Sequence, residues 1–565
     1  RSIGELYTEK DPKIALAYFQ KARQINEEIG EKRGVGIVLD AISRLYWETG
    51  KYDLTLATSS EALRIYESIG ARGQYTWVNR MIGLAHQGKG ELQEAEAAFS
   101  KSIESARESG RREDLWQSLY AKGDVLKTLG KNDEALELLR ESMGVLEHLR
   151  SEVNAGEQRA EYFESKIKVY NDAIQLLMVK KDLPEAFEYV QRSKARGFLD
   201  MLAEARVKQE DTLSAELRDR KKKDDNNLRK IQLNIEAEYE KETIDRSRIA
   251  ALEKQRNELE IEYSNLILEI RKQDPRYAEI QYPEPLKLSD AQALLDPDSV
   301  LLEYSISDSG SWLFAITADS AAAFEIPQQK KLDDQIHSLR DVLLKPDATY
   351  QTLEQAHSKY VTQAQALYSE LVKPAESILK GKQRILIATD GALSYLPFES
   401  LLTKTENSKT IHFESLPYLV RDYEIYYVPS ATVLASVIKN NHEKKDQPKQ
   451  FLALADPWLK NGSGEIAAVR GWGTLGPLPN ARTEVQNIAN LYPKNQVTVF
   501  EGKQASERNF KQSDLQEYKR IHFASHGLID EEKPEFSALV LSSDEKGGED
   551  GYLTMREVFD LKLNA

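Results

Sequence analysis

The sequence predicts two kinds of fold in one chain: an all-α repeat solenoid extended by a long helical hairpin, then an α/β domain built on a parallel sheet. Glycines recur at a period of 40 through the first 150 residues. Residues 206–273 are polar yet keep apolar positions three, four and seven apart, the spacing of long helices. From residue 288 short apolar runs alternate with amphipathic segments, as buried strands alternate with helices.

The repeats are the firmest element. At a shift of 40, Gly30, Gly70 and Gly110 fall into register, as do Gly50, Gly90 and Gly130 with Lys10 in their column. Further columns hold Ala15, Thr55, Ala95 and Ala135; Phe19, Ser59, Phe99 and Leu139; and Ala22, Ala62, Ser102 and Ser142. Small residues five and twelve positions after the turn glycine let two antiparallel helices approach, and the residue between fills the gap. The glycine takes a positive φ as the first helix ends. A divergent fifth unit is expected at 181–202, with Ala186, Val190 and Ser193 in the key columns. Such solenoids bind proteins or peptides on a concave face.

In the connector, Leu228, Ile231 and Ile235 form one stripe, and Leu252, Leu259 and Leu266 recur every seven. Two long antiparallel helices fit. The run "RDRKKKDDNNLRK" (218–230) reads as a solvated helix face. Asp274-Pro275 and Tyr282-Pro283-Glu284-Pro285 stop the helical half, so a boundary is expected at 275–287. The expected domains are 1–205, 206–275 and 286–565.

Composition excludes several classes. The 77 basic and 92 acidic residues leave a net charge of −15, which argues against nucleic acid or an anionic membrane as the main partner. No apolar run approaches the roughly 18 residues that span a bilayer. With no cysteine, disulfides and cysteine-based metal sites are excluded in this chain, and a cytoplasmic setting is expected. The first residue is Arg1, so a natural N-terminus that is processed or lies upstream is expected.

In the α/β part, "SVLLEYSI", "SWLFAIT" and "AAAFEI" read as an antiparallel meander. The strands "QRILIA", "DYEIYYV", "QFLALA", "QVTVFEG" and "KRIHFAS" then alternate with helices. In parallel sheets chemistry collects at the carboxyl ends of strands, and His526-Gly527 sits at one. His522 and His526 flank a strand at a separation of about 13 Å, too far to share a metal ion. His522 is expected to be a packed or partly exposed strand residue. An imidazole at position 526 can act as a general base, and the Gly527 N–H can donate to an oxyanion. Ser525 adjoins the histidine, and nothing in the sequence brings its hydroxyl to the imidazole. Asp390 and Asp456 end strands and read first as turn or capping residues.

The segments "DGALSYLPFESL" (390–401), "LPYLVRDYEIYYVPSATVL" (416–434), "FLALADP" (451–457), "LPNARTEVQNIANLY" (478–492), "IHFASHG" (521–527) and "GYLTMREVFDLKL" (551–563) resemble the CHAT domain, a family of caspase-like cysteine peptidases. The units "GKYDLTLATSSEAL", "GELQEAEAAFSKSI" and "GKNDEALELLRESM" resemble tetratricopeptide repeats, which bacterial CHAT proteins often carry. The resemblance implies a caspase–separase fold for 286–565, His526 as catalytic histidine and Gly527 as oxyanion donor. It implies no metal and no cofactor. It also implies an acidic pocket residue where the enzyme cuts after Arg or Lys, for which Asp390 is the candidate. The partners it implies are a protein substrate and a protein activator recruited by the repeats. The family's nucleophile is a cysteine at the end of the next strand, so the expectation is a domain truncated before that strand, with the cysteine beyond residue 565. A non-catalytic protein-interaction scaffold is the alternative.

Overall fold

The structure is a computed structural model. It describes residues 5, 7–8, 10–152, 166–194, 214–239, 241, 245–273, 285–344, 353–404, 413–441, 447–459, 475, 478, 480–529, 537–543, 549–559 and 561. The expected boundaries at 205 and 275, the end of the fifth repeat unit and residues 562–565 lie outside the described residues. The chain forms two compact units, divided between Val433 and Leu434.

The first unit begins with paired helices. After α1 (Pro12–Glu28) come α2 (Lys32–Glu48) with α3 (Tyr52–Ser68), α4 (Tyr75–Lys89) with α5 (Leu92–Ser109), α6 (Arg112–Thr128) with α7 (Asn132–Glu152), and α8 (Ile167–Val179) with α9 (183–194). Gly30, Gly50, Gly70, Gly90, Gly110 and Gly130 hold φ between 66° and 79°, the left-handed turn their spacing predicts. Lys181, at 62°, makes the same turn before α9. Ala15, Thr55, Ala95 and Ala135 are each fully buried, as are Ala186 and Val190 in the fifth unit. At Ser59 and Ser102 of these columns a serine partner crosses from a neighbouring helix. The Ser43 and Ser59 hydroxyls lie 2.5 Å apart and those of Ser102 and Ser118 2.8 Å apart, which lets a polar group sit where a methyl would otherwise pack.

The connector forms the expected antiparallel pair, α10 (Ala215–Tyr239) and α11 (Arg246–Gln273). Leu217, Leu266 and Ile270 bury together, and Arg220 pairs with Glu269 across the hairpin.

After α12 (Leu288–Ala293), the meander appears as β1 (Ser299–Ser305), β2 (Ser311–Ile316) and β3 (Ala321–Ile326). Next come α13 (Gln329–Leu344), α14 (Leu353–Leu371), β4 (Arg384–Ala388) and β5 (Glu424–Val428). β4 pairs parallel with β1 and with β5, giving the order β3-β2-β1-β4-β5. Alternation along β1 decides what each face meets. Val300, Leu302 and Tyr304 face Leu332, Ile336 and Leu367 of α13 and α14. Leu301, with Phe314 and Ile316 of β2, packs on Tyr170, Leu177, Phe187 and Val190 of the last repeat. The change of composition at 275–287 is therefore no packing boundary. Composition follows local elements, whereas the last repeat and β1–β5 share one core.

In the second unit β6 (Phe451–Ala455) lies between β7 (Val497–Glu501) and β8 (Ile521–Ala524), all parallel. α15 (Ala431–Asn441) leads into it from β5. α16 (Ala481–Ala489) packs on Phe451, Ala453 and Ala455, and α17 (Glu507–Gln512) on the opposite face at Leu452 and Leu454. A second sheet follows: β9 (Gly527–Leu528), β10 (Ala538–Val540) and β11 (Tyr552–Thr554), antiparallel, capped by α18 (Met555–Phe559). The sequence reading expects a parallel sheet and does not foresee this one. Strands of two and three residues are too short to show a period.

Candidate active site

β8 ends at Ala524, and Ser525 and His526 link it to β9. The expected loose exit at Gly527 is instead the first residue of a strand, opposite Leu539. Val540 N–H donates to the His526 carbonyl at 2.8 Å. Antiparallel ladders alternate hydrogen-bonded and non-bonded pairs, so Gly527–Leu539 is a non-bonded pair and the Gly527 N–H points out of the β9–β10 ladder. Gly527 is exposed, and a Cβ built there would meet nothing within 4 Å. Backbone can thus be approached closely beside a half-buried His526.

The other candidates separate cleanly. His522 Nε2 lies 2.8 Å from Glu484 Oε1, and its ring packs near Phe451, a tethered strand residue as expected. The Ser525 hydroxyl is buried and has no hydrogen-bond partner among the described residues, so it does not engage the imidazole. Asp456 sits at φ 46° and accepts from Arg482 Nε at 2.8 Å. Asp390 belongs to the first unit. Its Oδ2 accepts from the Ile306 N–H at 2.8 Å, which ties the end of β4 to the end of β1. Burial raises the Asp390 carboxyl above its ordinary value, and the Lys194 charge opposes the rise.

Among the described residues, one group has the composition of a metal site: Glu507, Glu549 and Glu557. The Lys511 ammonium lies among them at 2.6, 2.7 and 2.8 Å, so a cation already occupies the centre of this cluster. Burial pushes the Glu507 carboxyl up to about 7. Its Oε2 accepts from the Gly551 N–H at 2.8 Å.

Sequence reasoning missed Lys194 and Glu303. Glu303, fully buried on the repeat-facing side of β1, lies 3.4 Å from the Lys194 ammonium of α9. A signal was present, since a lone glutamate within "SVLLEYSI" is a charge inside a buried strand.

The architecture is a helical repeat array joined to α/β layers, with a histidine at a parallel strand's carboxyl end. Residues 361–565 match the family model of the CHAT domain, and residues 75–148 match that of the tetratricopeptide repeat. The chain thus carries a tetratricopeptide-repeat segment and a CHAT domain. β1–β3 precede the matched CHAT segment. No curated protein matches the sequence. Among solved structures, the apo form of RapI is similar at 15% identity over 47% of this chain and 96% of that one. Its TM-score of 0.29 is too low to carry an argument. No helix among the described residues is long and apolar enough to cross a membrane.

Proposed function

We propose that this protein is a caspase-like cysteine endopeptidase whose repeats recruit a protein substrate or a protein activator. Along the sequence its segments are the repeats at 1–205, the connector at 206–275 and the CHAT domain at 286–565, with the last repeat and β1–β5 sharing one core. The observation that carries the reading is the CHAT match across β6–β8, with His526 and an outward Gly527 N–H at the carboxyl end of β8.

β8 pairs with β6 on one side, and its other edge makes no ladder among the described residues. A further parallel strand added there ends beside His526, where the family's cysteine stands. His526 takes the thiol proton, and the thiolate attacks the scissile carbonyl carbon. The carbonyl oxygen, now an oxyanion, accepts from backbone N–H groups that include Gly527. The imidazolium returns its proton to the leaving amine, and water hydrolyses the thioester. His526 and Gly527 are the residues of this chain assigned to catalysis. The chemistry needs neither metal nor cofactor.

The test uses the natural polypeptide through its last codon. A thiol alkylator should stop cleavage of a repeat-bound protein, and a chelator should not. Cleavage that survives the alkylator and stops with the chelator would overturn the reading.

A further inference from the structure

We propose that Lys194 is a latch tying the last repeat helix to the carboxyl ends of β1 and β4, and that through it the conformation of the repeats reaches the sheet. This goes beyond the peptidase reading and stands without it.

Lys194 lies in the last described turn of α9, the second helix of the fifth repeat unit. Its side chain is 8% exposed. The ammonium donates to two main-chain carbonyls, Tyr304 O at 2.9 Å and Ala388 O at 3.1 Å. These close the neighbouring parallel strands β1 and β4, where Glu303 stands opposite Ala388. In open α/β sheets this edge is where ligands bind. Here the chain's own lysine fills it.

The charges around the ammonium show why this is more than an anchor. Glu303 lies 3.4 Å away, and the Gln191 side chain of α9 and the Ala431 amide also face its carboxyl. Asp390, the second carboxylate facing Lys194, spends Oδ2 on the Ile306 amide. One cation thus serves two carboxylates and two carbonyls. Removing one partner of a buried ion pair is costly, although a well-packed apolar pair in its place would be about as stable. An ammonium that leaves takes the balance of the whole cluster with it. Its departure is the second arrangement that a switching element requires.

A neighbouring contact supplies a second reporter. One helical turn before Lys194, Gln191 Oε1 accepts from the backbone N–H of Thr432 at 3.0 Å, where α15 begins. The Ile306 amide therefore reports the latch, through Asp390, and the Thr432 amide reports α9 itself, through Gln191.

The experiment is site-resolved hydrogen exchange on the 565-residue chain. Glu188→Gly loosens α9 through helix propensity, at a position whose side chain, among the described residues, bonds Arg192 of its own helix. In an otherwise native chain it should speed exchange about fivefold at both Ile306 and Thr432, one local opening reaching both sites. In a Lys194→Met background the same change should speed Thr432 alone. Equal acceleration of Ile306 with and without Lys194, or none in either, would overturn the latch. If Lys194→Met does not fold, Lys194→Met with Glu303→Leu removes the orphan carboxylate and is read by the same two amides.

Discussion

The two units each build parallel strands whose carboxyl ends are the natural place for chemistry, and they use that place in opposite ways. In the first unit, β1 and β4 end against Lys194, Glu303 and Asp390, and the two carboxylates' burial raises both above their ordinary values against the pull of the lysine. In the second, β6 is fully buried while β8 is half-exposed, and the strand leads to His526 and an outward Gly527 N–H. The repeats explain the difference. They lie on one face of the β1–β5 sheet, so a helix-borne charge can reach that sheet's edge. The flank of β8 makes no ladder among the described residues, and its edge keeps the exposure that a substrate needs.

The largest way to break this contrast is at the filled edge. Lys194→Met leaves Glu303 and Asp390 without their cation and should cost about 3–5 kcal/mol in denaturant unfolding of the first unit. Adding Glu303→Leu should recover most of that loss. A single variant as stable as the native chain would show that the lysine does not hold the edge closed.

A smaller effect sharpens the second unit. Gly551 sits at φ 88°, and a Cβ there would lie 2.7 Å from the Leu541 carbonyl oxygen. Gly551→Ala should destabilise that unit by about 1–3 kcal/mol in thermal melting. The strain falls on backbone of the β10–β11 sheet that orders Gly527, so the half-buried His526 and the exposed Gly527 should loosen with it.

A pH profile isolates the neighbouring cluster. The Glu507 carboxyl is raised from 4.5 in the unfolded chain to about 7 in the fold, chiefly by burial. Between those values the folded state binds the extra proton, so the second unit should lose stability as pH rises from 4.5 to 7. The Lys511 ammonium is raised above its ordinary 10.5 by its carboxylate partners against burial, so it acts only in alkali. Burial and Lys511 act oppositely on Glu557, and its net lowering places its effect below 4.5. Glu507→Gln should flatten the profile between 4.5 and 7, measured as melting temperature against pH. A slope that persists would assign it to another group.

The smallest effect is expected at Ser525. Its buried hydroxyl has no partner, so Ser525→Ala should shift stability by less than about 1 kcal/mol and leave cleavage unchanged. A large loss of activity would give the serine a chemical role.

The solenoid was legible because it depends on local periodicity. The turn glycines and the columns from Ala15 to Ser142 each record a helix packing on its sequence neighbour. The meander and each longer strand were legible from apolar runs. The β9–β11 sheet was not, because Gly527–Leu528 is too short to show alternation and its pairing is set by distant residues. The shared core of repeats and sheet was hidden for a related reason. No local pattern tells Leu301 or Phe314 which helices will cover it. His526 was visible through its position before a glycine at a strand end. Lys194 was not, because its partners are more than 100 residues away and its meaning appears only when α9 meets β1 and β4.

The central claim is that the second unit holds half of a catalytic dyad, and one measurement tests it most directly. The natural full-length polypeptide, as native protein and as His526→Ala and His522→Ala variants, is incubated with a protein bound to its repeats, and cleavage is followed by mass. The account predicts a loss of at least about 100-fold for His526→Ala and near-native cleavage for His522→Ala. Full activity without His526 would contradict it.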